Sequence, residues 1–172
     1  MEEYMKLHTD RLIICEFSLD MAEDVHKNSL DDDTRRFLPD EVFETSEDAA
    51  DTIEYLMDVY ETGDGPLVYP VLTKSEINIG YVQLVPTEDG YEVGYHIAES
   101  YTGRGYATEA LGCFLEHIMQ AKDINKVLGI CVTENRASCR VLEKCGFQKL
   151  FEGLGKYQGR DTSIAKYVYT TK

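Results

Sequence analysis

The arginine between two glycines within Glu92–Ala110 (EVGYHIAESYTGRGYATEA) is the feature with the clearest chemical meaning. Gly103 and Gly105 surround Arg104 where a strand-like stretch gives way to a helical one. Glycine lets a backbone approach a ligand closely, and the first N–H groups of a helix point outward with the positive end of its dipole. Such a turn suits an anion, best a pyrophosphate, to which Arg104 can add a charge-assisted hydrogen bond. We predict an anion-binding turn; the alternative is a strand-to-helix turn that binds nothing.

Two other phosphate-binding motifs do not fit this chain. A P-loop requires Gly-Lys-Ser or Gly-Lys-Thr after four intervening residues, and the sequence has no such run. A dinucleotide fingerprint would place Thr108 at its third glycine. Asp123 has the distance expected of the ribose-binding acid but precedes the next strand, whereas Glu134 follows that strand but lies too far along the chain. We therefore set both motifs aside.

The elements around the turn predict an α+β domain with a mixed, mostly antiparallel sheet. Runs with a period of two indicate strands, and apolar residues three and four apart indicate helices. The predicted strands are Leu12–Phe17, Leu67–Thr73, Ile77–Val85, Glu92–Ile97, Lys126–Val132, Phe147–Glu152 and Ser163–Thr171, the last two around a loop at Gly153–Asp161. The predicted helices are Ser18–Asn28, Ser46–Thr62 with Ser46 as N-cap, one after Gly105, and one capped by Asn135.

Length and composition indicate a single globular domain over residues 1–172. Of the 172 residues, 43% are hydrophobic, which is typical of a chain that buries a core. No apolar run approaches the roughly 20 residues that a membrane span needs, and the first residues lack a signal-peptide pattern. We expect a cytoplasmic protein without a membrane partner.

The formal net charge of −15 argues against a nucleic-acid partner, since such binding depends on a basic surface. Residues 1–86 hold 6 basic and 21 acidic side chains, whereas residues 87–172 hold 11 of each. The whole net negative charge therefore lies in the first half, for example at Asp31–Asp33 and Asp40–Glu41. Such blocks are either solvated surface or a face for a cationic partner.

The five cysteines predict neither a metal site nor a catalytic thiol. They form no CxxC pair and no zinc-like spacing with histidine, and no histidine stands where it would activate one of them. We expect buried free thiols and no bound metal.

Four segments in the right order carry a resemblance to a known family. TGRGYA followed by TEA, and NRASCRVLEKCGF about thirty residues later, resemble the GNAT acetyltransferase superfamily. LHTDRLIICEF and EVGYHI resemble the first and fourth strands of its branch containing ribosomal-protein N-terminal acetyltransferases. The resemblance implies helices on both faces of the sheet, and an acetyl-CoA site where the fourth and fifth strands splay apart.

The resemblance also implies a set of site residues. The loop formed by Thr102, Gly103, Arg104, Gly105, Tyr106 and Ala107 would hold the pyrophosphate of acetyl-CoA, mainly through backbone N–H groups. The backbone of Ile97 and Ala98 would bind the pantetheine amides, and one of these N–H groups would polarise the thioester carbonyl. Asn135 and Ser138 match family residues beside the thiol, so both are candidates for cofactor binding and for catalysis.

Two positions depart from the family pattern. Thr102 stands where Gln or Arg is common, which matters little for a loop that acts through its backbone. Leu142 stands where many members carry the Tyr that protonates the leaving thiolate. The candidate proton donors to the leaving thiolate are therefore Ser138 and water.

The implied reaction is acetyl transfer to a primary amine by direct attack on the thioester. A lysine-like amine has a pKa of about 10.4, so a base must remove its proton near pH 7. Glu92 matches the family's fourth-strand carboxylate and is the candidate base, although a solvent-facing strand glutamate is the alternative. His96 shares its face and is either a packed side chain or a proton relay.

The partners are less closely defined by the sequence. The acidic first half predicts a cationic acceptor, such as a basic peptide N-terminus, a polyamine or an aminoglycoside-like amine. Arg136, Arg140 and Lys144 form a stripe that is either solvated or meets the 3′-phosphate of CoA. A non-catalytic acyl-CoA-binding module of the same fold is the alternative function, and both a monomer and a homodimer fit the sequence.

Overall fold

Residues 4–171 are described by a computed structural model, in which eight strands form one open sheet in the order β1-β2-β3-β4-β5-β6-β8-β7. All neighbouring strands are antiparallel except β5 and β6, which run parallel. The strands are β1 (Lys6–His8), β2 (Leu12–Cys15), β3 (Leu67–Thr73), β4 (Asn78–Thr87), β5 (Gly90–Ile97), β6 (Lys126–Val132), β7 (Gln148–Tyr157) and β8 (Arg160–Thr170).

Helices cover both faces of this sheet, as expected for the predicted α+β class. One face carries α1 and α3, which pack on each other and on β3 and β4; the other carries α4 and α5, which pack on β2, β5 and β6. The helices are α1 (Ala22–Ser29), α2 (Asp32–Phe37), α3 (Ser46–Thr62), α4 (Tyr106–Ala121) and α5 (Arg136–Lys144). Within residues 4–171, no helix combines the length and the apolar character needed to cross a bilayer.

The main core lies between the sheet and α4. Leu111, Phe114 and Ile118 recur at helical spacing along α4, and each is at most 2% exposed against the strands. Fully burying one such side chain contributes about 1.5–3 kcal/mol, so this stripe fixes the position of α4 and of the loop that precedes it.

The parallel contact between β5 and β6 is short. In the described part of the chain, the two strands are paired at Glu92 with Leu128 and at Val93 with Gly129. Beyond Val93 they diverge, while β5 stays paired with β4 up to Ile97. The splay predicted between the fourth and fifth strands is therefore present. It lies between β5 and β6, because the additional strand β1 raises the number of each later strand by one.

Several predicted boundaries coincide with the observed ones, and others need correction. Leu67–Thr73, Lys126–Val132 and the helix Ser46–Thr62 agree residue for residue. The N-cap of that helix is Thr45 rather than Ser46, since the Thr45 hydroxyl accepts the Asp48 N–H at 3.1 Å. Strand β1 and helix α2 were not predicted; both are short, with three and six residues.

The predicted loop at Gly153–Asp161 is wrong. Strands β7 and β8 pair through this region down to Tyr157 with Arg160, which leaves a turn at Gln158 and Gly159. Glycines in this stretch are typical of loops, but Gly155 instead makes room for a neighbour: a Cβ there would lie 2.4 Å from Cδ1 of Ile164.

The expectation of free cysteines fails for one pair. Cys131 on β6 and Cys139 on α5 form a disulfide with Cα atoms 6.0 Å apart. The tight connection between β6 and α5 brings residues eight positions apart into contact, which spacing alone does not reveal. Cys15, Cys113 and Cys145 are free and half-buried.

Gly80 on β4 tests the packing of the strands that flank the splay. A Cβ on Gly80 would lie 1.9 Å from the His96 carbonyl oxygen, so Gly80→Ala must push β4 away from β5. We expect a loss of about 3 kcal/mol in the free energy of unfolding and a fall in Tm of about 6–12 °C, measured by circular dichroism. Gly112→Ala on α4 is the matched control, because its Cβ meets nothing and alanine favours a helix. Equal Tm values for the two variants would contradict this account.

Candidate active site

A cleft of about 570 Å³ opens where β5 and β6 separate. The end of β5, the loop before α4 and the first turns of α5 form one side, while α2 and the β7–β8 turn close the other. Of the predicted site residues, those lining the cleft are Glu92, Ile97, Thr102, Gly103, Gly105, Tyr106, Ala107, Asn135 and Ser138. Ala98 and Arg104 are not among the lining residues.

The glycine turn has the backbone geometry expected of an anion site. Gly103 and Gly105 have φ values of 77° and 81°, in the left-handed region that favours glycine. The Glu109 N–H makes the first helical bond, to the Gly105 carbonyl at 3.1 Å. The N–H groups of Tyr106 and Ala107 precede that bond and belong to the orphan donors of a helix N-terminus.

Arg11, just before β2, braces this turn from behind and was not predicted as a site residue. Its guanidinium donates to the Arg104 carbonyl at 2.9 Å and to Glu109 at 2.8 Å, and it lies 4.4 Å from the centroid of the Tyr106 ring. The Thr9 hydroxyl donates to the other Glu109 oxygen at 2.5 Å. Arg11 lies in the LHTDRLIICEF segment, but spacing alone does not show that it contacts residues more than ninety positions away.

The carboxylate of Glu109 is held in its ionised form by these contacts. Burial alone would raise its pKa, but hydrogen bonds from Thr9 and Arg11 outweigh that effect and lower it. Glu109 therefore ties the first turn of α4 to the start of β2, rather than only complementing the helix dipole.

Arg104 is turned away from the cleft. Its guanidinium lies 3.4 Å from the Ser100 carbonyl and 5.6 Å from the centroid of the Tyr101 ring. In this arrangement the Arg104 backbone, not its side chain, belongs to the turn.

The predicted role of Ala98 is not supported by its geometry. Its N–H donates to the Ile79 carbonyl at 2.7 Å, and its carbonyl accepts the Tyr101 N–H at 2.8 Å. Because hydrogen-bonded pairs alternate along an antiparallel ladder, the backbone groups of Tyr95 and Ile97 point away from β4 and into the splay. Tyr95 and Ile97, rather than Ala98, are thus the residues whose backbone groups face the splay.

The first turn of α5 presents Asn135 and Ser138 to the cleft. Asn135 caps the helix by accepting the Ser138 N–H at 3.2 Å. The Tyr95 hydroxyl donates to the Ser138 carbonyl at 2.6 Å and lies 3.0 Å from the Ser138 Oγ. Leu142 is 1% exposed and packs over Gly129, so it offers no polar group. Ser138 and Tyr95 are the hydroxyls that this region brings together.

Glu92 sits at the point where the strands part. Burial raises the pKa of its carboxyl, and Lys166 partly opposes the shift. Tyr157, at the tip of the β7–β8 hairpin, has its pKa raised to about 12 by burial and by the charges of Glu41 and Glu92. A carboxylate with a raised pKa is a stronger proton acceptor, which suits a general base.

Glu41 places a second half-buried carboxyl in the same cleft. It follows α2, accepts a hydrogen bond from the Tyr81 hydroxyl, and has its pKa raised by burial. With Asp33 and Glu92 it gives this side of the cleft three acidic side chains. On the opposite side, Arg140 and Lys144 line the cleft, whereas Arg136 of the predicted stripe does not.

His96 is a packed side chain. Its Nε2 lies 3.1 Å from the Thr34 hydroxyl, and burial lowers its pKa although Asp31 and Asp33 oppose the shift. The bond to Thr34 fixes the orientation of the imidazole ring. Within residues 4–171, no group of three or more His, Cys, Asp or Glu side chains is arranged to hold a metal ion.

Known proteins share this architecture. A GNAT-family acetyltransferase of Bacillus anthracis superposes with a TM-score of 0.81 at 25% identity, over 96% of this chain and 98% of that one. The ribosomal L7/L12 alpha-N-protein acetyltransferase RimL, solved in complex with coenzyme A, superposes with a TM-score of 0.80 over 98% of both chains. At 17% identity, the second likeness concerns the fold alone.

Sequence comparison leads to the same group. The chain is 29% identical over 148 residues to the "uncharacterized N-acetyltransferase YnaD" of Bacillus subtilis (strain 168), covering 84% of each protein. Residues 11–148 match the acetyltransferase (GNAT) domain, which includes the glycine turn, the splayed strands and α5. The chain therefore belongs to the GNAT family of acetyltransferases.

Proposed function

We propose that this enzyme transfers the acetyl group of acetyl-CoA to a primary amine by direct attack of the amine on the thioester. The observation that carries the proposal is one continuous cleft with an anion-binding turn at one side and the half-buried carboxyl of Glu92 at the other. The first feature suits the donor, and the second suits removal of a proton from the acceptor.

The donor fits the side of the cleft formed by α4 and α5. The backbone N–H groups from Gly103 to Ala107 would hold the pyrophosphate, and those of Tyr95 and Ile97 would bind the pantetheine amides. Arg140 and Lys144, which line this side, would meet the 3′-phosphate. Arg104 would have to rotate from Ser100 to add its charge. Acetyl-CoA supplies the activated acetyl group, and no metal is required in this scheme.

Glu92 is the proposed base, acting on the amine directly or through water. Its raised pKa leaves it able to accept the ammonium proton, after which the neutral amine attacks the thioester carbonyl. The Ile97 N–H, directed into the splay, is the proposed donor to the carbonyl oxygen as negative charge develops on it.

The leaving thiolate needs a proton, and Ser138 is the proposed donor. Its hydroxyl lies on the first turn of α5 and is oriented by the Tyr95 hydroxyl 3.0 Å away. Asn135 positions the same turn through its cap. As the tetrahedral intermediate collapses, its nitrogen loses a second proton to water, and proton exchange with that water restores the serine hydroxyl. Tyr95 therefore acts by positioning and stays protonated, in keeping with its raised pKa.

The proposed acceptor is cationic before it loses its proton. Asp33, Glu41 and Glu92 line the acceptor side. Among the described residues, no Lys or Arg forms a salt bridge with Glu41. A small amine and a peptide N-terminus, the kind of group that an alpha-N-protein acetyltransferase modifies, are both acceptors of this class.

A panel of primary amines with acetyl-CoA tests the reaction, and Glu92→Gln tests its base. We expect thiol release that requires an amine, and a loss of about 100-fold or more in kcat/KM for Glu92→Gln. A protonated Glu92 cannot accept a proton, so wild-type kcat/KM should fall as pH drops through a pKa above the ordinary value of about 4.3. The variant should lose that dependence.

The matched control is Glu88→Gln, which removes an exposed carboxyl from the β4–β5 turn and should retain wild-type kinetics. If Glu92→Gln kept the wild-type rate and pH profile, Glu92 would not be the base. Coenzyme A binding without thiol release for any amine would instead favour a non-catalytic acyl-CoA-binding module.

Arg11→Gln tests the brace behind the anion-binding turn. Loss of the guanidinium removes its hydrogen bonds to the Arg104 carbonyl and to one Glu109 oxygen, so the turn should be less ordered before the donor binds. We expect the KM for acetyl-CoA to rise about tenfold, with a much smaller change in kcat, in steady-state assays. Lys122→Gln, at the opposite end of α4, removes the same charge and should leave KM unchanged. An unaltered KM in Arg11→Gln would show that the turn holds its shape alone.

A further inference from the structure

A second cavity of about 290 Å³ adjoins the cleft on the face covered by α1 and α3. It is bounded by α1, by the chain around Glu41, by α3, and by strands β3 and β4. Its size is just below the range of small-molecule sites, about 300–1,000 Å³, and fits a side chain or a short alkyl chain.

The cavity and the cleft share part of their walls. Glu41, Tyr81, Gln83 and His96 line both spaces. Gln83 is paired with Gly94 on β5, two residues from Glu92, so the shared wall reaches the proposed site of amine attack. A molecule whose amine lies near Glu92 would reach the second cavity past the hydrogen-bonded pair of Glu41 and Tyr81.

The deeper walls are apolar. Phe17, Ile53, Leu56 and Val68 form one buried cluster, against which Val25 packs, and all five line the cavity. The titratable side chains in the lining are Tyr55, Tyr81, Asp40, Glu41 and His96. No Lys or Arg belongs to the lining formed by the described residues, so a cationic head at the junction meets only acidic or neutral groups.

One polar atom in the lining lacks a partner. Asn78 is 4% exposed, its Oδ1 accepts the Gly80 N–H at 3.0 Å, and its Nδ2 is buried without a hydrogen bond among residues 4–171. Buried donors are almost always satisfied in folded proteins. An alkyl tail offers no acceptor to this group, so a water molecule or another polar group has to supply one.

We propose that this cavity is a subsite for the apolar tail of an amphipathic primary amine, the acceptor of the enzyme. The inference rests on the proposed amine acetylation and names its substrate class. The ammonium group is held between Glu41 and Glu92 until it loses its proton, while the tail lies between α1, α3 and β4. The acidic entrance then selects the charge, and the apolar interior selects the tail.

A series of linear amines from propylamine to hexylamine tests the subsite. Each methylene that leaves water for an apolar wall should raise kcat/KM about fourfold, or roughly 60-fold over three methylenes. Spermidine, whose tail is charged, should be a poorer acceptor than hexylamine. A flat series, or a preference for spermidine, would overturn the proposal while leaving amine acetylation itself intact.

Val25→Phe supplies the matching change in the protein. The larger ring should fill the cavity and reduce the hexylamine-to-propylamine ratio of kcat/KM to within about threefold of unity. Met57→Phe is the control, because Met57 packs on the same apolar cluster but does not line the cavity. The ratio should stay at the wild-type value there, and a loss of the ratio in both variants, or in neither, would contradict the assignment.

Thermal shift with each amine in the absence of acetyl-CoA separates the two proposals. Greater stabilisation by hexylamine than by propylamine, lost in Val25→Phe, supports the subsite even if no amine is acetylated, in which case the proposed reaction fails alone. Equal stabilisation by all amines, with acetylation still observed, refutes the subsite alone.

Discussion

The two-residue parallel contact between β5 and β6 is the constraint on which the rest of the site depends. The strands are paired at Glu92 and Val93 and then separate. Backbone N–H and C=O groups that a longer ladder would pair therefore stay directed into a cleft. The same separation places the glycine turn after β5 and the cap of α5 after β6 at one end of the gap. A longer pairing would stabilise the sheet and close the site.

The two sides of the gap differ in charge, with acidic side chains and Lys156 on one side and basic side chains on the other. The acidic half of the chain supplies Asp33 and Glu41, while the neutral half supplies the glycine turn, Arg140 and Lys144. Burial raises the pKa of both Glu41 and Glu92. Each carboxyl therefore contributes stability below its unfolded-state pKa that is lost as pH rises through its folded-state pKa. At neutral pH the fold carries this penalty at the positions where the chemistry is proposed.

Sequence patterns predicted the fold class, the glycine turn and the family because these depend on local periodicity and on short motifs. The length of β7 and β8 was missed because Gly153 and Gly155, typical of loops, here accommodate side chains from neighbouring positions. Tyr95 was not predicted to face the splay, because the direction of its backbone groups depends on which residues of β5 hydrogen-bond to β4, and the Ala98–Ile79 bond shows this. The cavity beside Glu41 depends on four elements packing together, and no local pattern encodes it.

The brace at Arg11 also bears on the order of folding. Its contacts with Arg104 and Glu109 join residues 93 and 98 positions apart, across β2, β3, β4 and β5. Contacts of such long sequence separation form late, after the entropy of closing the intervening chain has been overcome. A partly folded chain with α4 already helical would still lack a fixed anion-binding turn. Affinity for the donor would then report completion of the whole sheet, and the donor would stabilise only the finished fold.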